Sequence, residues 1–116
     1  MNDFKWSQVD KKIARGAFDK AYQRECDVII AKLKKMIKTT KKPDDIWRIL
    51  DYLNEQRDRT DEKYDYRYSV LIYVFSRLIK EGWLTEADLE GIGKDKIEKV
   101  QFLLSMEPGS KHRPES

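Results

Sequence analysis

Apolar side chains at Val9, Ile13, Ala17, Ala21, Cys26, Ile29, Leu33 and Met36 or Ile37 return every three to five residues, the spacing that lines one face of an α-helix. Ser7-Gln8-Val9-Asp10 opens the stretch with the form of a capping box, a hydroxyl for a free backbone N–H and an acid three positions on. Because no proline precedes Pro43, the pattern predicts one helix from about residue 7 to 38. At about 1.5 Å per residue it spans roughly 45 Å, more than a globule of this chain length covers. Part of its stripe, Ile29 and Leu33 included, therefore needs a second chain, and homodimerisation through this helix is expected. Gly16 either permits a close approach there or weakens the helix locally.

Thr39 to Lys42 read as a short linker. Pro43-Asp44-Asp45 then supplies a fixed φ and two carboxylates suited to the positive end of a new helix. Ile46, Ile49, Leu50 and Leu53 give that helix an i, i+3, i+4, i+7 face over about 44–60. The charged run Asp58 to Asp65 is expected to end it. Val70-Leu71-Ile72-Tyr73-Val74-Phe75 has the composition of a buried strand, but the pattern continues through Leu78 and Ile79 to Lys80-Glu81-Gly82, a helical stop. A third helix over about 66–81 is therefore predicted. Thr85-Glu86-Ala87-Asp88 opens a short helix ending at Gly91-Ile92-Gly93, and Ile97, Val100, Leu103 and Leu104 line a last one over about 94–104. The expected fold is all-α: a single domain over 1–105, with a long N-terminal helix, a helical hairpin and a small C-terminal helical head at 66–104, assembled as a homodimer. Residues 106–116, with Pro108, Gly109 and Pro114 and no apolar period, are read as a disordered tail.

Charge changes this picture more than composition does. The chain has 116 residues, 40% hydrophobic and 39% charged, with a net charge of +3. That charge is uneven, since residues 1–42 carry 12 basic and 5 acidic side chains and the remainder 12 and 16. Lys11, Lys12, Lys34, Lys35, Lys41 and Lys42 are read as solvating the first helix and its end. A nucleic-acid reading of this basic helix ranks lower, because aromatic and basic residues are not interleaved on one face. The longest apolar run, Val70 to Phe75, has six residues, far below the roughly 18 that span a bilayer. The N-terminus lacks a signal-peptide pattern and Cys26 stands alone, so a reducing cytoplasm is expected and no integral membrane association.

Little here supports covalent chemistry. The one histidine, His112, falls in the predicted tail, leaving a nucleophile without a placed base. Single Cys and His residues do not make a zinc site, and no phosphate-binding glycine loop occurs. No catalytic residue, metal or cofactor is expected, and the chain is read as a non-enzyme. Asp44 and Asp45, and Asp61, Glu62 and Asp65, are read as capping and solvation, with a hard metal kept open at the second cluster. Cys26 is read as a small buried hydrophobe. On helix two, Trp47 and Asp51 share a face at i and i+4, with Leu50 beside them and Arg57 near the edge. On composition alone this is a core tryptophan with solvated charges; the alternative is a binding hot spot.

Ala21-Tyr22-Gln23-Arg24-Glu25, Asp44-Asp45-Ile46-Trp47-Arg48 with Asp51-Tyr52-Leu53, Lys63-Tyr64-Asp65 with Arg67, and Ser69-Val70 through Phe75 to Lys80-Glu81-Gly82 together resemble the fluorescence recovery protein family of cyanobacteria. The resemblance spans roughly residues 6 to 104. It implies an all-helical homodimer that binds the photoactivated red form of the orange carotenoid protein. Binding would speed reversion to the orange form and detachment from the phycobilisome, so that antenna fluorescence recovers. It also implies that Trp47, Asp51 and Arg57, with Leu50, form a partner-binding patch at the dimer centre. Ile46 would belong to the dimer interface, and Tyr73 and Lys99 to a second contact region on the head. The chain departs from the family in carrying Leu50 where a histidine usually precedes the acid, in Asn54-Glu55-Gln56, and in its lysine-rich 32–42 segment. These departures keep open a distant relative, from a bacterium without the carotenoid protein, that binds another protein.

Overall fold

The computed structural model describes residues 4–106; the predicted tail beyond Met106, with His112, lies outside the described residues. Among these, every regular element is helical: α1 Gln8–Lys38, α2 Pro43–Lys63, α3 Leu71–Glu81, a 3₁₀ turn Glu86–Leu89 and α4 Lys94–Ser105. The capping box forms as predicted, the Asp10 N–H donating to Ser7 Oγ at 3.0 Å and the Ser7 N–H to the Asp10 carboxylate at 3.2 Å. At the other end the Thr39 and Thr40 hydroxyls donate to the carbonyl of Met36, at 3.2 and 2.8 Å, and close α1. Asp45 accepts from the backbone N–H groups of Lys41 and Lys42 at 2.9 and 3.2 Å, which holds its carboxyl below the usual range and sets α2 running back along α1.

The core belongs to one end of the molecule. Ala14, Ala17, Phe18 and Ala21 of α1 lie at i, i+3, i+4, i+7 and meet Leu71, Val74, Phe75 and Leu78 of α3 at the same spacing, with Leu84, Leu89 and Ile92 closing the cluster. The alanines on the α1 side let the 3₁₀ turn Glu86–Leu89 come close, α3 packs chiefly on α4, and Phe18 and Phe75 fill the volume of the shared core. This seam differs from the predicted stripe: Val9 is 61% exposed, because the face through Asp10, Ala14 and Ala17 turns inward instead. Gly16 is exposed and an added Cβ there would meet nothing within 4 Å, so it serves no close approach within the protomer. Cys26 is half-buried on the outward half of the helix.

Ala21 is the last α1 residue of this core; Tyr22, Arg24 and Glu25 still reach the head and its approach, and beyond them α1 runs beside α2 as an antiparallel stalk. The molecule extends 54 × 31 × 24 Å with a radius of gyration of 16.9 Å, against about 13 Å for a compact domain of similar length. α2 runs to Lys63, one turn past the predicted end, and α3 begins at Leu71 instead of near 66. Between them the chain is not helical, because Tyr64, Tyr66 and Tyr68 repeat every second residue. The half-buried Tyr64 and Tyr66 stand edge-on to Phe18 at 5.4 and 4.8 Å, and Tyr68, at the turn before α3 and 37% exposed, lies against Trp6 at 5.1 Å. Burial pushes the Tyr66 hydroxyl up to about 12. The predicted glycine stop holds, with Gly82 in the left-handed conformation at φ 89°.

Two ionic clamps fix the head on α1. Asp10, already part of the α1 capping box, is 3.0 Å from buried Lys96 and accepts from the Gly93 N–H at 2.9 Å. Arg24 donates to both oxygens of Asp88 at 2.8 and 3.3 Å and to the Trp83 carbonyl at 3.0 Å.

Removing the Phe75 ring by Phe75→Ala should cost about 3–5 kcal/mol in chemical denaturation, since it opens a cavity at the centre of the seam. Asp88 is held down to about 2, chiefly by its hydrogen bond from Arg24. A depressed carboxyl stabilises the fold above the unfolded-chain value and loses that contribution as pH falls through the folded one. Wild-type stability should therefore drop by about 2 kcal/mol between about pH 4 and pH 2 through this group, and Asp88→Asn should abolish that part of the slope.

Candidate functional site

Two surfaces carry the residues singled out from sequence. The first is the outward face of α2. Ile46, Trp47 and Leu50 are 53%, 58% and 46% exposed, and Asp51 lies beside them, exposed. Trp47 is therefore no core side chain, contrary to the composition-based reading. The core cluster is confined to the head, and the inner side of α2 is spent on α1. Arg57 continues the face and reaches Asp61 only at 3.9 Å, both side chains largely in water, an ion pair that leaves the guanidinium free to engage a partner. Val28, Ile30 and Ile37 of α1 are also about half exposed. Ile29 and Leu33, expected in the dimer seam, are half-buried.

Ile46, Trp47 and Leu50, neighbours on one face of α2 at i, i+1 and i+4, are more than scattered surface hydrophobes and mark an interaction surface. Among the described residues no group of three or more His, Cys, Asp or Glu side chains converges as metal ligands. The acidic cluster left open for a hard metal is instead divided among arginines: Asp61 faces Arg57, Glu62 faces Arg77 at 3.3 Å, and Asp65 faces Arg67 at 2.6 Å.

The second surface is on the head. Tyr73, 51% exposed, borders an open cavity of about 360 Å³ with Ser76, Arg77, Lys80, Leu103 and Met106. Lys99 of α4 is half-buried, its ammonium 5.2 Å from the Phe102 ring centroid. Tyr73 and Lys99 thus belong to α3 and α4, while Trp47, Leu50, Asp51 and Arg57 belong to α2.

Between the two surfaces lies a group that the sequence reading did not single out. Lys63, the last residue of α2, has its side chain 4% exposed and contacts Glu25 of α1 at 2.8 Å and Glu81 of α3 at 2.6 Å. Glu25 also accepts from the Tyr64 hydroxyl at 2.8 Å, and Glu81 from Trp83 Nε1 at 3.2 Å and Arg77 Nε at 3.0 Å. Burial pushes Glu81 up, but the bonds from Lys63 and Arg77 outweigh it and hold the carboxyl below its usual range. Burial and the Glu25 carboxylate raise the Tyr64 hydroxyl well above its ordinary value. The available signal was Lys63 standing at the head of the period-two tyrosines.

Comparison with known proteins gives one answer. The model of the photoprotection regulator fluorescence recovery protein family matches residues 6–104. A fluorescence recovery protein from Synechocystis sp. PCC 6803 is 39% identical over 98 residues, 84% of this chain and 90% of the relative. The structure of the Fremyella diplosiphon fluorescence recovery protein superposes with a TM-score of 0.79 at 40% identity, covering 89% of this chain and 100% of the other. That of the Synechocystis protein gives 0.80 at 37% identity, with the same coverage.

Proposed function

The chain belongs to the fluorescence recovery protein family of photoprotection regulators, and from that premise we propose that it acts without covalent catalysis on the orange carotenoid protein. In this reading it binds the photoactivated red form, accelerates its return to the orange form and releases it from the phycobilisome. Any association with the antenna then runs through this partner from the cytoplasmic phase. The observation that carries the reading is the solvent-facing α2 surface, where an exposed tryptophan, an acid and an arginine surround apolar side chains. Such a cluster suits the centre of a protein interface.

The same surface supports a homodimer. The stalk leaves Ile49, Tyr52 and Leu53 of α2 only half-buried within the protomer, and a second copy would cover Ile46, Trp47 and Leu50 together with the α1 residues, Ile29 and Leu33 continuing the seam. Trp47, Leu50, Asp51 and Arg57 then lie around the dimer centre, with Tyr73 and Lys99 on each head as a second contact. A protein speeds a conformational change in its partner only by binding one state, or the barrier between states, more tightly than the other. Two patches that engage separated partner domains also raise their effective concentration for reassociation. Leu50 favours a second reading, a relative retaining the fold but serving another protein, because an exposed leucine replaces the polar residue usual in the family at this point.

At micromolar concentration, light scattering should give the mass of two protomers, and Ile46→Glu with Leu50→Glu should give that of one. The functional test is dark recovery of photoactivated orange carotenoid protein, followed by absorbance. Acceleration is expected with the wild-type chain and should fall at least tenfold in Trp47→Ala/Arg57→Ala, a loss on the scale of one interface hot spot at about 1.4 kcal/mol per decade. A dimer that leaves recovery unchanged overturns the first reading in favour of the second.

A further inference from the structure

Lys63 is the only buried side chain of α2, and it is a charged one. An ammonium withdrawn from water costs several kcal/mol, recovered only when its hydrogen bonds are made and its charge is met. Here both conditions hold across four parts of the chain: Glu25 from α1, Glu81 from α3, and the Tyr64 and Trp83 rings with centroids 5.5 and 5.9 Å from the ammonium. An apolar side chain of similar volume would fill the same space at equal or lower cost, so stability alone does not account for the lysine.

Direction does. Apolar contacts tolerate small rotations of the head on the stalk, whereas Lys63 is satisfied only where Glu25 and Glu81 converge. The remaining clamps, Asp10–Lys96 and Arg24–Asp88, join the head to α1 alone. Glu62 of α2 also meets Arg77 of α3 at 3.3 Å, but that pair stands in water, its side chains 68% and 45% exposed, and constrains direction little.

We propose that Lys63 is a positioning residue: its bonds to Glu25 and Glu81 fix the angle between head and stalk, so that the α2 surface and the Tyr73–Lys99 surface meet one partner together. This rests on the function proposed above, since a fixed angle serves a protein that must hold two partner domains at once. Loss of the hub should leave each surface intact and spoil their joint action.

The test compares wild type with Lys63→Met/Glu25→Gln/Glu81→Gln, which removes the charges without leaving one unpaired. Spin labels are placed at Asn54→Cys on the stalk and Glu98→Cys on the head in a Cys26→Ala background, diluted into unlabelled protein. Pulsed EPR should give one narrow head-to-stalk distance for wild type and a broadened distribution for the triple variant. Helical content and dimer mass should stay unchanged. Acceleration of carotenoid-protein recovery should fall about tenfold while affinity for the partner changes less, the signature of lost effective concentration. A narrow distribution in the triple variant overturns the proposal, as does broadening with full acceleration. Should the triple variant fail to fold, Glu81→Gln alone keeps the Lys63–Glu25 pair and must broaden the distances measurably; an unchanged width counts against the hub. The distance measurement uses no partner, so a wild-type chain without effect on the carotenoid protein overturns the functional reading separately.

Discussion

The governing constraint is that α1, 31 residues long, is shared between two bodies that have different means of cohesion. Its first half supplies the alanine seam on which the head closes, and its second half, once past Arg24 and Glu25, runs out beyond the core beside α2. Everything else answers to that division. The head is held by close-packed apolar surface and fastened at its margins by Asp10–Lys96 and Arg24–Asp88. The stalk has little apolar burial of its own and displays Ile46, Trp47 and Leu50 to solvent. A head closed around a core and a stalk with apolar side chains left in solvent are two consequences of one helix being longer than its core.

Helix ends were legible in the sequence because their chemistry is local. Ser7 with Asp10, Thr85 with Asp88, and Gly82 each satisfy or release backbone groups within a few residues, and each does in the structure what its type predicts. The start of α3 was not legible in the same way. A helical period through Val70 to Ile79 masked the period-two tyrosines just before it, whose inward direction depends on Phe18, some fifty residues away. The position of Trp47 was ambiguous for a similar reason: an amphipathic face says which side chains are alike, not whether the protein has a core left to cover them. Lys63 was the hardest to see, since a lysine inside a charged run reads as solvated until three distant elements are brought around it.

The two surfaces are built from shape and charge. Its acidic clusters are neutralised one by one by arginines, leaving no converging ligand set among the described residues. The surfaces left over are apolar patches edged with single charges, and these sit on separate elements. Family membership supplies the regulatory context, and the structure supplies the physical parts from which differential binding can be built: an exposed stalk face, a head with a shallow cavity, and a buried ionic contact between them.

The alanine seam also makes α1 a lever. Ala21 is the last core residue of the helix, and 17 residues separate it from Lys38, about 25 Å of rigid rod at 1.5 Å per residue. A tilt of about 5° at the seam therefore carries the lysine-bearing tip sideways by about 2 Å. Side-chain size at Ala14, Ala17 and Ala21 gauges that tilt: even one added methyl there, far from either contact surface, would re-aim the whole stalk.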